Sequence, residues 1–239
     1  MKIRLCLLSI ALCVLYVFPA MAHEDHRIAI TFILDGSGSM GPVQSDVVGG
    51  LNGYIANQKK ENPNALFSLV VFDTEITKPI LESPVTEIND LNSETTFLGG
   101  GTALFDAIGE SVSSINESEE CFNRLFVIYT DGLENSSKKW AREEIKKLIK
   151  SKERCNNWIF TYMGAHPDAY AEASQIGIRN GNIIMVNPNN VSDNFSVIAG
   201  GINNNINGSS FIGGDSVNNL YEAFKTNDAN GVIVTQPNN

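Results

Sequence analysis

Short apolar runs that alternate with segments of helical periodicity constrain the fold of this chain more than any other feature. Residues 28–34 read IAITFIL, a continuous Ile-rich run that is typical of a strand buried on both faces. Similar runs follow at 65–72, 124–130 and 157–164, with a weaker one at 183–186. Strands that alternate with helices predict a doubly wound, mostly parallel sheet with helices on both faces.

The segments between these runs complete the predicted order of elements. Residues 76–88 are predicted to form an edge strand, because Pro79 and Pro84 would each remove a hydrogen bond from a central one. The sheet would then have six strands, with one antiparallel strand at an edge. The predicted helices share apolar residues at three- and four-residue spacing: one opened by Pro42, and others at 103–115, 138–152, 167–176, 195–202 and 217–224.

The first 22 residues have the pattern of a cleaved export signal. Lys2 and Arg4 precede an apolar run at 5–18, and the sequence AMA at 20–22 offers the small residues that a signal peptidase reads. The apolar run is shorter than the roughly 20 residues that a membrane-spanning helix needs. Cleavage is therefore favoured over an uncleaved membrane anchor.

Residues 23–239 are expected to form one exported domain, either periplasmic or extracellular, that is not stably inserted in a membrane. Its core is expected at about 28–200, followed by an Asn- and Gly-rich C-terminal extension at about 201–239. The whole chain has 27 Asp and Glu residues against 17 Lys and Arg, a formal net charge of -10. Such a charge disfavours binding to nucleic acid or anionic lipid and favours binding to cations.

Cleavage of the signal would leave two cysteines, Cys121 and Cys155. Each precedes a predicted strand, so neighbouring parallel strands would bring both to the same edge of the sheet. The oxidising environment of an exported protein favours an intramolecular disulfide between them over two buried free thiols. Such a disulfide would stabilise the fold by roughly 3–4 kcal/mol in the chain-entropy model.

Polar side chains cluster in three loops of the predicted fold. The sequence DGSGS at 35–39 follows the first strand, GGGT at 99–102 precedes the helix at 103–115, and DG at 131–132 follows the strand at 124–130. In an open parallel sheet, the loops at the carboxyl ends of the strands line a shared crevice where the strand order reverses. The three loops are therefore expected to meet in one binding crevice.

These motifs resemble those of the von Willebrand factor type A (VWA) domain and its metal-ion-dependent adhesion site. In that family a D-x-S-x-S motif supplies an aspartate and two serines, a second loop supplies a threonine, and a third supplies an aspartate. Each motif alone is weakly specific, but their order and their placement after strands are specific. The resemblance covers about residues 28–200 and implies five metal-site residues: Asp35, Ser37, Ser39, Thr102 and Asp131.

The oxygen atoms of these side chains suit Mg²⁺, with Mn²⁺ as an alternative and Ca²⁺ less favoured. Ser37, Ser39 and Thr102 offer neutral hydroxyls, while Asp35 and Asp131 are expected to orient metal-bound waters. Neutral ligands leave the charge of the ion largely unquenched, so an open position would attract an external carboxylate. The sequence therefore predicts a non-enzymatic binding or adhesion module that recognises an acidic side chain of a protein partner.

Each motif also has a simpler explanation. Serine and glycine after a strand commonly form turns. Thr102 could be only the N-cap of the following helix, and Asp131 could be only part of a turn. Asp106 is expected to have a structural role near these loops, outside the metal site.

There are two alternatives to an adhesion module. The first is an enzyme that uses the same crevice, either nucleotide-dependent or a metal-assisted hydrolase. Residues 36–41 match the dinucleotide pattern G-x-G-x-x-G, but Asp73, the acidic residue after the next strand, is farther along the chain than that pattern requires. A metal-assisted hydrolase would need a general base, and the sequence offers none at a convincing position. The second alternative is a structural domain whose metal only stabilises the loops.

Overall fold

The structure is a computed structural model, and it describes residues 28–115, 122–154, 157–186, 191, 195, 196 and 198–200. Three predictions lie outside these residues: the export signal, the disulfide between Cys121 and Cys155, and the C-terminal extension with its helix at 217–224. Within the described part of the chain, no helix is long and apolar enough to span a membrane.

A six-stranded sheet forms the centre of the molecule. Its strand order is β3-β2-β1-β4-β5-β6. The β2–β3 pair is antiparallel, and the other four neighbouring pairs are parallel. The predicted doubly wound sheet with one antiparallel edge strand is confirmed. The strands are β1 (Ile28–Asp35), β2 (Leu66–Phe72), β3 (Ile76–Pro84), β4 (Asn123–Thr130), β5 (Trp158–Gly164) and β6 (Ile183–Met185).

Helices cover both faces of the sheet. One face packs against α1 and against a last helical segment, whose described residues are 191, 195, 196 and 198–200. The opposite face packs against α2, α3 and α4. The helices are α1 (Gln44–Glu61), α2 (Leu104–Ser113), α3 (Arg142–Glu153) and α4 (Ala169–Gln175).

Strand β1 is buried along its whole length, as its Ile-rich sequence predicts. Alternate residues point to opposite faces, so Phe32 packs with the α1 layer and Ile33 with the α2 layer. The Phe32 ring centroid lies 4.9 Å from that of Tyr54 on α1 and 5.9 Å from that of Phe195 in the last helical segment. Burial of each such side chain contributes about 1.5–3 kcal/mol, and both layers therefore anchor the strand that ends in Asp35.

Two element boundaries differ from the predicted ones. The edge strand ends at Pro84 instead of residue 88, because the Val85 amide bonds to the Ala65 carbonyl at 2.9 Å and a 3₁₀ turn follows at Val85–Glu87. Similarly, a 3₁₀ turn at Gly38–Val43 contains Pro42, so α1 begins only at Gln44.

The helix predicted at 138–152 also begins later, at Arg142. The carboxylate of Asp106 on α2 accepts hydrogen bonds from three successive amides just before this helix. The donors are the backbone N–H groups of Lys138, Lys139 and Trp140, at 2.8–2.9 Å. The predicted structural role of Asp106 is therefore confirmed.

The strand order reverses between β1 and β4, which are neighbours in the sheet although β2 and β3 separate them in sequence. The chain leaves β1 at Asp35 and β4 at Thr130, so the two loops that follow begin side by side. This is the predicted position of the binding crevice.

Candidate metal site

Asp35 ends β1 and is 1% exposed. Its Oδ1 accepts a hydrogen bond from the backbone N–H of Ser37 at 2.8 Å, and its Oδ2 accepts one from the hydroxyl of Thr130 at 2.5 Å. Burial raises the pKa of Asp35, while these hydrogen bonds act in the opposite direction. The carboxylate is thus fixed in orientation at the floor of the crevice.

A chain of close side-chain contacts joins the loop at 35–39 to the loop that follows β4. Its members are Ser37, Ser39 and Asp131. The Oγ atoms of Ser37 and Ser39 lie 3.1 Å apart, and the Ser39 hydroxyl donates to Oδ1 of Asp131 at 2.7 Å. Ser37 is 2% exposed, whereas Ser39 is exposed to solvent. The chain of contacts therefore runs from the protein interior to its surface.

The glycine-rich loop before α2 packs directly against the first loop. The amides of Leu98 and Gly99 both donate to the carbonyl of Gly36 at 2.9 Å, and the amide of Gly38 donates to the carbonyl of Gly100 at 2.9 Å. Gly99 has a φ of +96°, and a Cβ on Gly100 would lie only 2.4 Å from the Asp73 carboxylate. Glycine is required here because the loop must turn sharply and approach its neighbours closely.

Thr102 ends the glycine-rich loop and lies between the loop at 35–39 and the loop that follows β4. Its amide donates to the side-chain oxygen of Asn135 at 2.9 Å, and its carbonyl accepts from the amide of Asn135 at 3.0 Å. A Cβ placed on Gly132 would lie 3.1 Å from the Thr102 hydroxyl oxygen and 3.8 Å from Oδ2 of Asp35. The structure therefore brings all five sequence-predicted residues to one edge of the sheet. The N-cap of α2 is Ala103, so the simpler explanation of Thr102 as that cap is wrong.

The geometry of these oxygens fits a small divalent cation. Mg²⁺ ligands at 2.0–2.1 Å and right angles are about 3 Å apart, which matches the 3.1 Å between Oγ of Ser37 and Oγ of Ser39. Within the described residues, no group of three or more His, Cys, Asp or Glu side chains is placed to hold a metal. A cation at this edge would therefore depend on hydroxyl ligands together with Asp35 and Asp131, as the resemblance implies.

The three loops that carry these oxygens have no basic side chains. The sequences at 35–41, 96–103 and 131–137 contain no Lys or Arg. Leu98, beside the crevice, is 38% exposed, which is unusual for a large apolar side chain in the described part of this chain. The three loops thus bring acidic but no basic side chains to this edge of the sheet.

Three residues that contribute to this arrangement were missed from the sequence: Thr130, Glu134 and Asn135. Thr130 could have been found, since it precedes Asp131 at the end of a strand that pairs with β1. Glu134 and Asn135 bond to Phe105 and Thr102, about 30 residues away in sequence. No local pattern predicts such contacts.

Asp73, whose position already counted against the nucleotide-dependent alternative, has other partners in the structure. Asp73 accepts hydrogen bonds from the amides of Glu75 at 2.7 Å and Gly100 at 2.8 Å, so its carboxylate holds the glycine-rich loop.

No protein-family model matches the sequence, and a search of curated proteins finds no match. Solved structures do match. A von Willebrand factor type A structure from Catenulispora acidiphila has a TM-score of 0.51 at 15% identity, over 73% of this chain and 42% of that chain. The chain has a von Willebrand factor type A fold.

Two other structures are similar to this VWA fold. Proximal thread matrix protein 1 from the mussel byssus, with a zinc-occupied MIDAS motif, has a TM-score of 0.52 at 16% identity, over 73% of this chain and 45% of that one. The pilus adhesin SpaC from Lactobacillus rhamnosus GG, in an open conformation, has a TM-score of 0.62 at 11% identity, over 77% and 31%. The VWA-like chain spans less than two thirds of the length of each of these proteins.

Proposed function

We propose that this chain is an exported, non-enzymatic adhesion module that holds a divalent cation and binds an acidic side chain of a protein partner. The observation that carries the proposal is the pair of serine hydroxyls 3.1 Å apart, a spacing that suits Mg²⁺ ligands, with the second of them bonded to Asp131 on another loop. The proposed metal-site residues are those of the sequence motifs: Asp35, Ser37, Ser39, Thr102 and Asp131.

Each of these side chains has a distinct part in the proposed mechanism. Ser37, Ser39 and Thr102 offer neutral oxygens as ligands, while Asp35 and Asp131 accept hydrogen bonds and thereby orient the ligands and waters around the ion. When bound, the ion supplies a Lewis-acidic position for an external carboxylate. Because these three loops have no Lys or Arg, they offer that carboxylate no other cationic contact.

The names of similar proteins support an adhesion role. They describe a byssus matrix protein with a zinc-occupied MIDAS motif and a pilus adhesin, and a further similar structure is the PilB minor pilin from Streptococcus sanguinis, at 14% identity. We infer Mg²⁺ or Mn²⁺ as the ion, export to the periplasm or cell exterior, and a disulfide between Cys121 and Cys155. These inferences rest on the sequence.

Replacement of Ser37 by alanine tests the metal site. Ser37→Ala removes one hydroxyl ligand, so we expect the affinity for Mn²⁺, measured by calorimetry, to fall at least about tenfold. Ser83→Ala is the matched control, because Ser83 is a serine on β3 at the opposite end of the sheet whose hydroxyl bonds only locally, to the Leu81 carbonyl. Equal Mn²⁺ affinities for the two variants would contradict the proposed site.

Acetate distinguishes an adhesion site from a metal that only stabilises loops. An external carboxylate that replaces a water on bound Mn²⁺ lowers the enhancement of water-proton relaxation by the ion. We expect acetate to lower this enhancement for the wild-type protein, with little effect on the Ser37→Ala variant. Binding of Mn²⁺ without any response to acetate would favour the structural alternative.

A further inference from the structure

The carboxylate of Glu134 joins the loop after β4 to the beginning of α2. Its Oε2 accepts hydrogen bonds from the backbone N–H of Phe105 at 2.9 Å and from the hydroxyl of Ser137 at 2.7 Å. Its Oε1 accepts from the amides of Ser136 at 2.9 Å and Ser137 at 2.7 Å. With four donors directed at its two oxygens, Glu134 is already saturated and is not suited to be a metal ligand itself.

The contact with Phe105 supplies a helix cap from another part of the chain. Ala103, the N-cap residue of α2, has no side-chain oxygen and makes no capping hydrogen bond. The first amides of a helix need acceptors, and a negative charge is favourable at this end. Glu134 therefore caps the N-terminus of α2, a role that the side chain of Ala103 cannot fill.

Residues next to Glu134 hold the backbone of Thr102 directly. Asn135 bonds to Thr102 through both its side chain and its amide, and the amide of Ser136 also donates to the Thr102 carbonyl at 3.2 Å. A Cβ on Gly101 would lie 2.3 Å from the Ser136 hydroxyl, which shows how closely the two segments pack. We call residues 134–137 the anchor segment.

The anchor segment also lies close to Asp131 along the chain, since only residues 132 and 133 separate them. The anchor segment is therefore bonded to Thr102 and lies within three residues of Asp131 along the chain. We propose that Glu134 is a positioning residue that sets the separation between Thr102 and Asp131 and thereby the affinity of the site for its cation. This inference rests on the proposed function.

Asp106 provides a matched control, because it also contacts the connection between β4 and α3. Its carboxylate also accepts several backbone hydrogen bonds, but from Lys138, Lys139 and Trp140, downstream of the anchor segment. Asp106 and Glu134 thus both stabilise the connection between β4 and α3. Only the Glu134 carboxylate is bonded within the anchor segment. Asp106 reaches that segment through its backbone amide, which donates to the Ser137 hydroxyl at 3.0 Å and which Asp106→Asn leaves in place.

The test compares Mn²⁺ affinities and melting temperatures of the full chain with those of Glu134→Ala, Glu134→Gln and Asp106→Asn. We expect Glu134→Ala to lower the Mn²⁺ affinity about 10- to 100-fold, the range typical of groups that orient metal ligands. Glu134→Gln should give an intermediate loss, because its amide can still accept bonds at one atom. Asp106→Asn should lower the melting temperature while it changes the Mn²⁺ affinity less than about threefold.

Three outcomes separate the hypotheses. Equal losses of Mn²⁺ affinity in the Asp106 and Glu134 variants would overturn the inference, because Glu134 would then act only through the stability of the connection. Unchanged affinity in both Glu134 variants would also overturn it. Failure of the wild-type chain to bind Mn²⁺ would instead overturn the proposed function, and the inference with it. If Glu134→Ala does not fold, Glu134→Gln decides between these outcomes.

Discussion

At the scale of single residues, the orientation of Asp35 depends on Thr130. The Thr130 hydroxyl donates to the buried Asp35 carboxylate at 2.5 Å and accepts a hydrogen bond from the amide of Gly132 at 3.0 Å. It therefore connects the end of β1 with the loop that contains Asp131. Loss of this hydroxyl would leave a buried carboxylate oxygen without one of its donors.

Thr130→Val, which preserves the shape of the side chain, is expected to lower the free energy of unfolding by about 1–3 kcal/mol, measured by urea titration. Thr161→Val is the matched control. Thr161 is also fully buried in the sheet, but its hydroxyl has no hydrogen-bond partner in the described structure, so its loss should be neutral or stabilising. A similar loss of stability in both variants would contradict the role assigned to Thr130.

The residues of the candidate site were predictable to the extent that they belong to motifs. Asp35, Ser37 and Ser39 follow one another at fixed spacing, and Asp131 directly follows the strand β4, so their placement follows from the sheet topology. Glu134 was not predictable, because its partner Phe105 lies on another element and its own neighbours suggest only a turn. Hydrogen bonds from carboxylates to distant backbone amides leave no periodic signal in a sequence.

At the scale of elements, α1 and the last helical segment meet at a glycine. A Cβ on Gly50 would lie 2.4 Å from the ring of Phe195. That ring also stacks on Tyr129 of β4, with ring centroids 5.3 Å apart. Any side chain at residue 50 would therefore push the last helical segment away from the sheet.

Gly50→Ala is expected to destabilise the protein by about 1–3 kcal/mol because it overpacks this contact. Gly53→Ala, on the same helix, is the matched control, since Gly53 is exposed and a Cβ there would meet no atom within 4 Å. The control should be stabilising by about 0.4–1 kcal/mol. Thermal unfolding of the two variants measures both effects, and a stable Gly50→Ala variant would contradict this packing.

The existence and type of the elements followed from periodicity, but several of their ends did not. The helix α3 begins at Arg142 instead of residue 138, and the Asp106 carboxylate binds three amides of the intervening stretch. The end of β3 is set by the hydrogen bond between Val85 and Ala65. Both boundaries depend on contacts between elements, which local sequence does not contain.

At the scale of the whole molecule, acidic residues outnumber basic ones and some of the acids are buried. Burial raises the pKa of Glu172 on α4, although Arg142 is nearby and acts in the opposite direction. Oε1 of Glu172 has no hydrogen-bond partner in the described structure. The folded state therefore favours the protonated form of this carboxyl relative to the unfolded chain.

A carboxyl whose pKa is raised by folding contributes its full stability below the unfolded value of about 4.5, and that contribution is lost as the pH rises through the folded value. Glu172→Gln removes this titration, so its stability relative to wild type should increase between pH 4 and pH 8. Urea unfolding in EDTA at several pH values measures the difference. Glu94→Gln, at an exposed position, serves as the control, and a difference that shrinks with pH would contradict the prediction.

Because the three loops contain no lysine or arginine, the charge at this edge of the sheet would depend on whether the cation is bound. Without its cation, this edge of the sheet would repel an acidic partner, and with the cation it would attract one. The local concentration of free divalent ion would then decide whether the module binds its partner or dissociates from it. Dilution into a medium with little divalent cation would reverse such adhesion, with no covalent change in either protein.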